Sequence, residues 1–215
     1  MMMLPGPPKF VVDQEKVLAL TDRVIMGSGG TARITTQAEP LQDLVNGLTL
    51  SKKYFQRHRF KNTTKFWRGL SEQIAERFDY WLSRGRAGPV SGEFFYFYLS
   101  EAGVIDVFMI KMDYHPITSV RIQGGYPTKK HLMCWGYQNV LNDLHKHKPN
   151  MGALRKDPLV KTFLNPDINA EDRTIPRAIE FADMVMDKSS LVLPSKGNVS
   201  REFSYCTLEG KVALD

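Results

Sequence analysis

Apolar and polar positions alternate unevenly along the chain, and they predict blocks of strands and helices. Val17–Leu20 and Arg23–Met26 are two short apolar runs joined by a turn at Thr21-Asp22. The second run ends in Gly27-Ser28-Gly29-Gly30, read as a glycine bend that lets the backbone approach a neighbour closely. A first helix is expected next. Thr36 and Glu39 have capping-box spacing, and Leu41, Leu44, Val45 and Leu48 recur at helical intervals. Trp67, Leu70, Ile74, Phe78 and Trp81 predict a second helix that starts near Thr63 or Thr64 and stops at Gly85 and Gly88-Pro89.

Strands then take over. Phe94–Leu99 is a continuous aromatic run, as expected of a strand buried on both faces. Ser100–Gly103 forms a hairpin loop leading into Val104–Met112. Irregular sequence with Pro116, Gly124-Gly125 and Pro127 precedes a third strand at His131–Trp135 and a short helix at Tyr137–Leu144. Residues 145–168, broken by Pro149, Pro158 and Pro166, read as a surface excursion. A helix is expected over Ile175–Met186, then a closing hairpin, Phe203–Thr207 with Val212–Leu214. Phe10–Val12 reads as a short strand, and residues 1–9 as an unstructured lead. Helices and strands come in blocks, which argues for an α+β architecture of antiparallel sheets with helices outside them.

Length and composition narrow this picture. The 215 residues, 42% hydrophobic, suit one domain with a sizeable core. No apolar run approaches the roughly 20 residues that span a bilayer, and no secretory signal is visible, so a cytoplasmic protein without a membrane partner is expected. Two distant cysteines, Cys134 and Cys206, make no disulfide framework. The net charge of +6 gathers at Lys52-Lys53, Arg57–Lys61 and His145–Lys148. No nucleic-acid motif accompanies these clusters, so solvated helix faces account for them and nucleic acid is not the expected partner. His131 and Cys134 would point to opposite faces of one strand, which denies them a nucleophile–base pairing. His145 and His147 have no further ligand at metal spacing, so no metal or other cofactor is expected.

The order of elements, with DQEKVLALTDRVIMGSGGTA, EFFYFYLSEAGVIDVF, HLMCWG, IPRAIEFADMVMDKSS and FSYCTLEGKVAL, resembles a proteasome β-type subunit of the N-terminal-nucleophile hydrolases. The resemblance implies two stacked antiparallel sheets sandwiched between helix layers, over a single domain spanning 1–215. It implies catalytic roles for four residues. Lys16 would lower the nucleophile's pKa, the Gly30 amide would face the oxyanion, and Asp187 and Ser190 would support the nucleophile. Ser28 and Ala32 would line the substrate pocket. The implied partners are homologous subunits in a ring, and the implied substrate is unfolded polypeptide, cut by a threonine-type peptidase.

This chain departs from the family pattern in three places. None of the fifteen residues before Lys16 is Thr, Ser or Cys, Trp135 replaces a serine before Gly136, and Arg33-Ile34 replaces an acidic position. The chain is therefore expected to be truncated or inactive, because nucleophilic catalysis needs the attacking group and its base together. The alternative is a basic α+β binding module for nucleic acid or an acidic protein.

Overall fold

The computed structural model describes residues 16–36, 42–85, 88–126, 152–164, 174–192, Cys206 and Leu208. The chain divides into two compact units, one holding the described residues 16–126 and Leu208, the other 152–192 and Cys206. The architecture is α+β.

The first unit is built on a five-stranded antiparallel sheet. Its strands are β1 (Val17–Thr21), β2 (Val24–Gly30), β5 (Val90–Leu99), β6 (Ile105–His115) and β7 (Ser119–Gly125), in the order β1-β2-β5-β6-β7. Between β2 and β5 come a two-stranded ribbon, β3 (Arg33–Thr35) with β4 (Asp43–Asn46), and two helices, α1 (Gly47–Arg57) and α2 (Thr64–Arg84).

Both helices pack their apolar stripes on one face of the sheet. Leu48, Tyr54 and Phe55 of α1 and Trp67, Leu70, Ile74 and Phe78 of α2 join Met26, Phe94, Tyr96, Tyr98 and Ile110 in one buried core. The expected stripe of α2 is present, with Thr63 as N-cap accepting from Phe66 N–H at 3.2 Å. Trp81 sits at its half-buried margin.

The sheet's reverse face is apolar at one end and polar at the other, where Glu93, Lys111, Asp113, Arg121 and Gln123 stand. Alternation puts Ile25, Phe95, Phe97, Val107 and Met109 at the apolar end, aligned across β2, β5 and β6. Phe95 and Val107 are only 4% and 2% exposed, in keeping with the two-faced burial expected of this strand.

Four sequence expectations are corrected. Gly27–Gly30 is not a bend but the end of β2, paired with β5 from Gly27↔Phe95 to Gly30↔Gly92. Thr36 does not cap a helix. It closes the β3–β4 ribbon, its Oγ1 accepting from Gln42 N–H at 3.1 Å. The helix begins later, where Asn46 Oδ1 accepts from Leu48 N–H at 2.9 Å. Residues read as irregular after Met112 include the end of β6 and the whole of β7, turned by Pro116 and by Ser119 at φ 59°.

The second unit holds α3 (Gly152–Lys156), α4 (Pro158–Leu164) and α5 (Ile175–Val192). The fourth correction lies here: part of the expected excursion is helical. Pro158 opens α4 rather than breaking it, and Asp157 Oδ1 accepts from Leu159 N–H at 2.8 Å. Phe163 stacks on Phe181 of α5, with ring centroids 4.9 Å apart. The expected elements at 10–12, 131–135, 137–144 and 212–214 lie outside the described residues, as do Cys134, Trp135 and the histidines of 145–147. No described helix is long and apolar enough to cross a membrane.

Candidate functional site

The β1–β2 hairpin brings Lys16 and Ser28 together. Ser28 N–H donates to the Lys16 carbonyl at 2.8 Å, and Ser28 Oγ reaches the same oxygen at 3.5 Å. Lys16 is exposed, and it opens β1 opposite Ser28.

Gly30 lies two residues past Ser28, about 7 Å along the strand. Its φ is +63°, and a Cβ there would stand 2.6 Å from the Ser91 carbonyl. Only glycine fits this close approach. The ladder fixes where its amide points. Thr31 N–H donates to Ser91 O on the β5 side, while Ser28 N–H donates to Lys16 O on the β1 side. Alternation then turns the Gly30 amide toward the β1 side, the side on which Lys16 stands. Ala32 is buried, and its carbonyl accepts from Gly47 N–H at 2.9 Å, so it anchors the start of α1.

Asp187 and Ser190 belong to the second unit. Both lie within α5 rather than after a helix, and Asp187 is exposed. Lys16, Ser28, Gly30 and Ala32 therefore lie on one stretch of the first unit, and Asp187 and Ser190 on one helix of the second. Only the Lys16 backbone carbonyl is held against Ser28, and both Lys16 and Gly30 are exposed. Among the described residues, no cluster of three or more His, Cys, Asp and Glu side chains is placed to hold a metal ion.

Sequence reasoning missed two features. One is Glu93, which pairs across from Gly29 on β2 and Lys111 on β6, on the reverse face. Partial burial pushes its carboxyl above the usual range. Lys111 opposes that shift, and Asp113, ion-paired to Lys111 at 3.2 Å, adds to it. The other is a cleft of ≈ 510 Å³ between the first half of α2 and the end of β7. Its floor is Trp67 stacked on Phe108, with centroids 4.3 Å apart and planes 12° from parallel. No local signal marks either feature, because each is assembled from distant stretches of chain.

No protein-family model matches this chain, and no curated protein or solved structure matches it.

Proposed function

We propose that this chain is a proteasome-like subunit of a ring-shaped protease complex that degrades unfolded polypeptide in the cytoplasm. Lys16 serves as the lysine that lowers the nucleophile's pKa, and the Gly30 amide as the oxyanion donor. In this reading the described part of the chain contributes to assembly and to one wall of the site.

The reading rests on the reverse face of the sheet. A sheet with helices on one face and water on the other alternates apolar with polar. Here the second face carries Phe95, Phe97, Val107 and Met109, with Phe95 and Val107 buried. That apolar end supports an inner layer in a helix–sheet–sheet–helix sandwich, while Glu93, Lys111 and Asp113 leave the other end polar.

Light scattering on the purified chain tests this. A ring gives a mass several times 24.5 kDa, with no peptide hydrolysis by the chain alone. A monomer at high concentration overturns the reading.

The exposed cations Lys52, Lys53, Arg57, Arg59 and Lys61 favour a second reading, a basic binding module, because none forms an ion pair among the described residues. Its signature is oligonucleotide affinity that falls steeply with salt. Absence of binding at low ionic strength removes it.

A further inference from the structure

We infer that the outer edge of β7, which pairs with no strand among the described residues, binds an extended polypeptide segment by strand addition beside the α2 cleft. The parity of the ladder carries the argument. Ser100 N–H donates to Val104 O, and pairing from that turn gives the even residues of β6 to β5 and the odd ones to β7. The odd residues of β7 then bond to β6, and Val120, Ile122 and Gly124 face outward. One observation fixes this independently: Val120 N–H donates to Asp79 Oδ1 of α2 at 3.0 Å.

Asp79 thus covers one end of the edge, and the cleft lies along the other. Among the described residues Ile122 and Gly124 have no outward backbone partner, and both line the cleft. A row of alternating N–H and C=O groups is complemented by another extended main chain. The cleft beside it suits one apolar side chain, since Trp67 and Phe108 form its floor and Gly124 contributes no side chain. Arg68 and Glu72 on its rim can meet charges flanking that residue.

A nucleic-acid strand fits less well. It needs open aromatic faces for base stacking. Trp67 and Phe108 turn their faces to each other and are only 2% and 7% exposed. Glu72 on the rim would also repel phosphate. The inference stands on the first unit alone and does not depend on ring assembly.

The test uses the full chain and fluorescent peptides of about eight residues, the length of an ordinary strand. They alternate Thr and Val around a central Phe, Leu or Trp. With the central side chain in the cleft, one alternate set of amides faces β7: its own set in antiparallel pairing, the flanking set in parallel pairing. N-methylation of the set that faces β7 is expected to weaken binding at least about tenfold, while methylation of the other set leaves it unchanged. Ile122→Pro, which removes an outward N–H without taking a β6 bond, should weaken binding similarly. Three results overturn the inference: no peptide binds, both methylated sets bind alike, or an oligothymidylate competes at equal affinity.

Discussion

Ser51 of α1 and Tyr96 of β5 share a buried hydrogen bond of 2.9 Å, and Ser51 Oγ also donates to the Gly47 carbonyl at 2.7 Å. Both side chains are fully buried, so this short chain of hydroxyls ties the first turn of α1 to the middle of the sheet. Tyr96→Phe should cost about 1 kcal/mol in urea unfolding, the usual net worth of such a bond. Burial pushes the Tyr96 phenol well above its ordinary value, against the opposing pull of the Ser51 bond. A pKa raised on folding gives stability that is full below the unfolded value, near 10, and lost as pH rises above it. The Tyr96→Phe variant should therefore lose less stability than the wild type between neutral pH and strong alkali.

Gly47 is wedged against Phe94, whose ring lies where any Cβ at position 47 would go. Gly47→Ala should destabilise by about 1–3 kcal/mol through overpacking. Adding Phe94→Leu should recover part of that loss, because the two sites share one space and cannot act additively. Equal losses in the single and double variants, by denaturant titration, would show that the ring is not the obstacle.

Gly30 and Gly103 both have positive φ, +63° and +77°, but only Gly30 is crowded, with nothing within 4 Å of a Cβ at Gly103. Backbone strain of this kind costs of order 1–3 kcal/mol for other residues. Gly30→Ala should therefore lower the thermal midpoint clearly more than Gly103→Ala. Equal shifts would mean that the Ser91 carbonyl moves aside.

Glu93 gives a pH signature of opposite consequence to a salt-bridged carboxylate. Its pKa is raised chiefly by burial, so folding opposes its ionisation. Any stability it lends is present below its unfolded value, near 4.5, and declines as pH rises through the folded one. Glu93→Gln should be more stable than the wild type at neutral pH, and the difference should vanish in acid. Urea midpoints at a series of pH values measure this directly.

The sequence reveals what repeats at regular spacing. Helix α2 is legible because five large apolar residues recur every three or four positions and Thr63 stands at the cap. The loop at Ser100–Gly103 is legible because it separates two long apolar runs. Strands β3 and β4 have three and four residues, too few to show a period, and Thr36 with Glu39 imitates a cap between them. Strand β7 is hidden by Pro116 before it and two glycines at its end, although Val120 and Ile122 do alternate with polar residues. At the candidate site, the neighbourhood of Lys16 and Ser28 follows from one hairpin. The Trp67–Phe108 floor joins residues far apart in the chain, which no local pattern can announce.

The apolar end of the reverse face has a consequence for biosynthesis. Residues 16–126 leave the ribosome before the remaining chain, and they carry the greasy wall of Phe95, Phe97 and Val107 with them. A nascent layer of this kind is adhesive until something shields it. Cells making this polypeptide therefore gain from a holding factor during translation, and fragments ending near residue 126 should precipitate instead of dissolving.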